Sequence, residues 1–172
     1  TGNTIESFLT GDGIGILAGG DAHVLAQIEA NSITGNGFNN DVLPFGDGIN
    51  ITAVDESQIF TRVVNNLVTG NAEQGLRLDT FDEGSITAVV VGNNMAGNDL
   101  GEDAGNDPTI DNNIADMAAV NAVSGNICLA MTNNFFTLNV VLNNQSGSAN
   151  FLFERNGLTV SEPQLIFLPS IA

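Results

Sequence analysis

Residues 31–36 read NSITGN, and the pattern returns as NLVTGN at 66–71, NNMAGN at 93–98 and NAVSGN at 121–126. Asn, an apolar third residue, Gly and Asn keep their places while the other positions vary. A hexapeptide that recurs within one chain marks a repeat architecture, and a repeat decides the fold before any single element does. Weaker copies start at Asn3 (NTIESF) and Asn143 (NNQSGS), so successive unit starts lie 28, 35, 27, 28 and 22 residues apart. A constant motif at uneven spacing describes one structural coil with loops of variable length. Helical repeats hold their period more strictly.

Alternation identifies the elements. Seven, five and three residues before the unit starts stand Val24/Ala26/Ile28, Ile59/Thr61/Val63, Ile86/Ala88/Val90 and Phe136/Leu138/Val140. Apolar residues at period two mean strands with one buried face. A second inward column runs through Ile5, Ile33, Val68, Met95 and Val123. A third runs through Ile14/Ile16, Ile49/Ile51, Leu76/Leu78, Leu129/Met131 and Phe151/Phe153. Each unit therefore holds three short strands joined by turns, and the hexapeptide Gly supplies a conformation that side chains resist. Such units stack as a parallel β-solenoid in which each strand pairs with its copy about 4.8 Å away. Like residues then meet like residues. Asn31, Asn66, Asn93 and Asn121 form one expected ladder of amides, and Asn36, Asn71, Asn98 and Asn126 a second. Replacing one buried ladder Asn by Leu is expected to cost about 1–3 kcal/mol.

The N-x-(apolar)-x-G-N signature, followed by G-I-x-I at Gly13–Ile16 and Gly48–Ile51 and by G-L-x-L at Gly75–Leu78, resembles the right-handed parallel β-helix proteins of the pectin-lyase-like superfamily. The resemblance covers about residues 3–162. It implies an all-β, single-stranded, right-handed parallel β-helix of about six coils. It leaves function open, because this fold hosts both enzymes and inert shafts. Unit four departs from the pattern: 98–113 has no clean second strand, and Asp116 falls where an inward residue is expected. Extra length at 37–47 is expected as a loop. The turns between the second and third strands are expected at 17–22, 53–57 and 79–84.

Composition limits the partners. The chain is 42% apolar, 13% charged and carries 24 Asn, so uncharged amides do much of the polar work. Its net charge is −17, with Arg62, Arg77 and Arg155 as the only Lys or Arg residues. That balance excludes the basic footprint nucleic acid needs, and disfavours anionic membrane. It fits an extracellular or cell-surface protein kept soluble by self-repulsion. No apolar run reaches about 18 residues, so membrane insertion is not expected. The chain opens on Thr1-Gly2-Asn3, as a processed protein or a cut piece would. Cys128 has no partner for an internal disulfide, and its place in ICLAM (127–131) predicts a small packed residue.

The resemblance also implies candidates for chemistry. Lyases of the superfamily commonly use Asp-held Ca²⁺ and an Arg or Lys base. Arg77 and Asp79, outward on one strand, with Asp82 and Glu83 in the next turn, are the nearest match. Paired-Asp and His-Gly signatures of the hydrolases are missing, and the chain has no Tyr or Trp for a sugar platform. The simpler expectation is solvated charges on a solenoid face. His23, the only histidine, is expected to face outward. The acidic insert offers Asp99, Glu102, Asp103, Asp107 and Asp111 as oxygen ligands for Ca²⁺, although its spacing matches no defined loop.

The ends suggest assembly. Asn3 begins a coil with no preceding cap, and PQLIFLPSIA (163–172) is an apolar tail, expected as a cap or an inter-subunit connector. An open coil and an adhesive tail predict head-to-tail self-association, which propagates into filaments when it does not close. The leading expectation is thus a non-catalytic structural β-solenoid without a catalytic cofactor. The second is a polysaccharide-active lyase or hydrolase centred on Arg77.

Overall fold

The computed structural model describes residues 1–6, 11–37, 46–98, 115–122, 124–137, 139–144, 150–155 and 165–168. They form strands without a helix, all paired in parallel and distributed over three sheets. Numbered along the chain, the first sheet holds β1 (Thr4–Glu6), β4 (Ser32–Thr34), β7 (Leu67–Thr69), β10 (Asn94–Ala96) and β13 (Phe135–Phe136). The second holds β2 (Ile14–Ala18), β5 (Ile49–Ala53), β8 (Leu76–Thr80), β11 (Ala115–Asn121), β14 (Asn139–Asn144) and β16 (Leu165–Leu168). The third holds β3 (His23–Glu29), β6 (Gln58–Val64), β9 (Ser85–Val91), β12 (Asn126–Thr132) and β15 (Asn150–Arg155). The chain visits first, second and third sheet in rotation, and each strand lands beside its predecessor in the same sheet. That is a β-solenoid.

The corners explain how short strands turn so sharply. Between first and second sheets, Gly35, Gly70 and Gly97 have φ of 65°, 65° and 63°. This left-handed conformation disfavours a Cβ, which is why the hexapeptide keeps its Gly. Between second and third sheets it falls to Gly20, Asp55 and Asp82 (φ 64°, 57° and 55°). Between third and first it falls to Ala30, Asn65, Gly92 and Asn133 (φ 56°, 53°, 66° and 54°). Asn and Asp tolerate this region better than most side chains.

Inward columns are continuous aliphatic stacks. Ile33, Val68, Met95 and Phe136 line the first sheet, and all are fully buried. Ile49/Ile51, Leu76/Leu78, Met117/Ala119 and Val140/Leu142 line the second, and Ile59, Ile86 and Ile127 stack in the third. No single coil could bury these residues; each is covered by the coils on either side.

The sequence register holds through residue 98 and slips after the insert. Asn121 is the last residue of β11, in the second sheet, where it pairs with Thr80 and accepts a hydrogen bond from Thr80 Oγ1 at 2.6 Å. Asn126 opens β12 and is exposed. Neither continues the two ladders of the earlier coils, because Asn121 ends a second-sheet strand and Asn126 opens a third-sheet strand. The fifth unit begins at Asn134 instead. Phe136 accordingly lies in the first sheet beside Met95, and Leu129 and Met131 in the third beside Ala88 and Val90. Phe151 and Phe153 pair with Ile127 and Leu129 in that same sheet. Asn143 is a β14 strand residue, not a unit start. Cys128 is exposed on the outer face of the third sheet, not packed. β16, within the apolar tail, adds a strand to the second sheet beside β14.

Candidate functional site

Two internal ladders are the most organised polar feature. The first runs Asn3, Asn31, Asn66, Asn93, Asn134. At each step the backbone N–H and the side-chain Nδ2 of one Asn both donate to Oδ1 of the next, over 2.9–3.1 Å. The remaining Nδ2 proton goes to a carbonyl of the preceding coil: Asn66 to Ile28 O at 2.9 Å, Asn93 to Val63 O at 2.8 Å and Asn134 to Val90 O at 2.8 Å. An Asn amide has two donors and one acceptor oxygen, and at Asn66 and Asn93 every one is used. That inventory explains why Asn, rather than Ser or Asp, recurs at this position.

The second ladder runs Asn36, Asn71, Asn98 by the same rule. It sits against a column of glycines. A Cβ on Gly48 would collide with Val68 Cγ1 and lie 2.8 Å from Asn71 Nδ2; one on Gly75 would lie 2.5 Å from Asn98 Nδ2. The glycine immediately before the second-sheet strand is thus required by the neighbouring amide. In the fourth coil that position is Asp116, just before Met117, and its side chain completes the ladder. Asp116 Oδ1 accepts from Asn98 N and Nδ2 at 2.9 and 3.2 Å; Oδ2 accepts from Thr137 N and Oγ1 at 2.6 and 3.1 Å. A fully buried carboxylate replaces the next Asn, and β11 carries a register shift between Ala115 and Met117 where it does so.

A shorter polar column precedes the second-sheet strands. Asp47 N–H donates to Asp12 Oδ1 and Gln74 N–H donates to Asp47 Oδ1, both at 2.9 Å. Asp47 is buried, and its pKa is pushed well above the usual carboxylate range. Burial is the main cause; the charges of Glu73, Asp12 and Asp79 add to it, and that of Arg77 opposes it. An Asp with a raised folded pKa holds its proton more tightly when folded, so stability falls as pH rises through the window above about 3.9. Asp47→Asn keeps an oxygen for Gln74 N–H and removes the charge. It is therefore expected to raise the thermal midpoint at pH 7 and change it little at pH 4, a contrast read by calorimetry at the two pH values.

The enzyme candidates are partly brought together. Arg77 Nε meets Asp79 Oδ2 at 2.7 Å on the outer side of β8. The pair is not a free surface feature: the side chains are 15% and 7% exposed, and neighbouring outward residues Ala118, Val120 and Val141 form a small buried cluster of their own. Asp82 and Glu83 are exposed on the next corner, where Asp82 O accepts from Ser124 N and Oγ. His23 faces outward and is exposed. Asp99, Glu102, Asp103, Asp107 and Asp111 lie outside the described residues. Among the described residues, no group of three or more His, Cys, Asp or Glu is placed to hold a metal ion.

Three site residues escape the hexapeptide pattern: Asn134, Asp116 and Asp47. A shorter pattern, Asn-x-(apolar)-Thr, finds the first, since Asn134-Phe135-Phe136-Thr137 matches Asn31-Ser32-Ile33-Thr34 and Asn66-Leu67-Val68-Thr69. Asp116 is marked only as a charged residue where an inward one is expected, and Asp47 has no such signal.

Comparison with family models, curated proteins and solved structures finds no match. The geometry itself carries the classification: an all-β chain of parallel strands stacked in three sheets around amide ladders, a β-solenoid.

Proposed function

We propose that the chain is a non-catalytic structural shaft of an extracellular or cell-surface protein, a right-handed β-helix of about six coils that assembles end to end into a fibre or forms part of a longer surface shaft. Right-handedness follows from the general preference of parallel crossovers in L-polypeptides. One observation carries the assembly. β1, β2 and β3 each stand at the edge of their sheet, hydrogen-bonded to a strand on one side only. Their inward residues Ile5, Ile14, Ile16 and Val24 remain partly exposed, whereas Ile33, Ile49, Ile51 and Ile59 in the next coil are buried. A further coil completes both the hydrogen bonds and the burial; it comes from the opposite end of a second copy or, where the chain is part of a longer shaft, from the stretch that precedes it. The ladder supports that polarity. Asn3 donates to Asn31, so by the ladder's rule the coil that stacks before it is the one that donates to Asn3. Stiffness comes from stacked strands, amide ladders and the aliphatic core, and the carboxylates outside sustain solubility.

Negative-stain electron microscopy tests this, with and without Ca²⁺. Rods should lengthen with protein concentration, and Ile16→Lys, which puts a charge on the open coil, should shorten them to single units. Monomers at all concentrations, together with product release from acidic polysaccharides that is lost in Arg77→Ala, would replace this reading with the enzymatic one.

A further inference from the structure

The charge of −17 is distributed unevenly over the solenoid. On the outward positions of β3, β6, β9 and β12, Glu29 and Arg62 are the only Asp, Glu, Lys or Arg residues. Through the middle of this face runs a column in register: Leu25, Phe60, Thr87, Cys128. Leu25 is 87% exposed and Phe60 48%, and Thr87 and Cys128 are exposed as well. Apolar side chains this open, on a regular sheet face with almost no charge, mark a contact surface. The two long borders of the face differ. Along the strand starts lie the exposed corner carboxylates Asp21, Asp55, Glu56, Asp82 and Glu83. Along the strand ends lie Ala30, Asn65, Gly92 and Asn133, which carry no charge, with Glu29 at the end of β3 as the one carboxylate beside them.

We propose that this face pairs with the same face of a second copy, the two solenoids lying side by side with their axes parallel. Two copies at −17 repel over most of their surfaces, and this is a face on which they meet without stacking carboxylate on carboxylate. The borders choose the orientation. A two-fold axis along the solenoid lays each acidic border over the partner's nearly uncharged border, with Arg62, on the strand-end half of β6, facing the partner's acidic border and Glu29 as the one like-charge approach. A two-fold axis along the strands would instead superpose the two acidic borders, at a cost in like-charge repulsion. Each strand spans roughly 23 Å and four strands at about 4.8 Å span roughly 19 Å, so the face offers about 440 Å² per copy. A standard stable interface uses about 800 Å² per partner. The pair is therefore weak and reversible for single chains, and is reinforced when chains are joined in arrays. It uses a different surface from the end-to-end contact and does not depend on it.

Cys128 reports on the contact directly. Under the parallel two-fold it lies at the same level in both copies and near the middle of the face. Sedimentation velocity of Ile16→Lys, in which the end-to-end contact is broken, should show a monomer–dimer equilibrium up to millimolar concentration. A short bismaleimide should link Cys128 to Cys128 in a yield that rises with concentration. Thr87→Glu and Leu25→Glu, both at exposed positions, should each cut that yield at least tenfold while monofunctional maleimide still labels Cys128 and the far-ultraviolet circular dichroism is unchanged. The link should persist in Ile16→Lys, which separates this contact from the end-to-end one. Two results overturn the proposal: yields in wild type no higher than in Thr87→Glu, with Ile16→Lys monomeric throughout; or protection of Cys128 by an uncharged insoluble glucan without any copy-to-copy link, which gives the face to a glycan.

Discussion

Asn66→Leu is expected to destabilise the chain by about 3–6 kcal/mol, more than the loss of one hydrogen bond suggests. Asn66 sits in the middle of the first ladder, 2% exposed. Its Oδ1 receives Asn31 N and Nδ2, and its Nδ2 serves Ile28 O. Leu removes all three partnerships and supplies nothing in exchange, so three buried polar groups lose their partners at about 1–3 kcal/mol each. Asn93 Oδ1 keeps only the hydrogen bond from the backbone at position 66. The loss is a large part of the 5–15 kcal/mol that holds a typical domain together. Asn94→Ala is the matched control: it is exposed on the adjacent first-sheet strand and should change stability by no more than about 0.5 kcal/mol. Urea unfolding of both variants gives the comparison. A midpoint for Asn66→Leu within error of Asn94→Ala would mean that the ladder contributes nothing. Because solenoid stability is a sum over neighbouring coils, amide exchange should also rise most in the coils that carry Asn31 and Asn93.

The same periodicity that makes this prediction also limited what could be read before the structure. Period-two columns and Asn at fixed offsets are enforced by stacking, so three strands per coil and the ladder members Asn31, Asn66, Asn93, Asn36, Asn71 and Asn98 were legible from residue types alone. Asn121 and Asn126 do not continue those two ladders, although their hexapeptide matches as well as any. A corner between second and third sheets also asks for small polar residues and Gly, and NAVSGN satisfies it. Short motifs of turn residues do not say which turn they make; the apolar columns on either side do. Counting inward residues backward from Asn134 restores Ile127, Leu129 and Met131 to the column of Ile86, Ala88 and Val90. Cys128 was misread for a related reason. An apolar run such as ICLAM hides its alternation when the outward residues are themselves small and apolar, and only the register shows that Cys128 faces out. The buried carboxylates were illegible because their partners come from other coils: Asp47 depends on Asp12 and Gln74, and Asp116 on Asn98 and Thr137.

Asp116 sets the second large expected effect. Its two oxygens receive four hydrogen bonds from Asn98 and Thr137, the shortest 2.6 Å. Asp116→Ala leaves Asn98 N–H and Thr137 N–H facing an empty space. It should cost about 3–5 kcal/mol, the range seen when one partner of a buried charged network is removed. Asp116→Asn discriminates between a carboxylate that organises the coil and one that is merely tolerated. If burial of the charge were the dominant energy, the neutral isostere would stabilise the fold, as expected for Asp47→Asn. At Asp116 all four of these contacts are donors. Whichever way an amide is turned, its NH₂ faces either Asn98 or Thr137, donor against donor. Asp116→Asn should therefore lose nearly as much as Asp116→Ala, and urea unfolding with amide exchange at Asn98 and Thr137 measures both. An Asn variant as stable as wild type would show that the ladder does not need an acceptor-only end here. The two substitutions make one contrast: the same Asp→Asn change raises stability where a carboxylate is buried among acidic charges and lowers it where four donors converge. What a buried carboxylate contributes in this solenoid is decided by what the next coil presents to it.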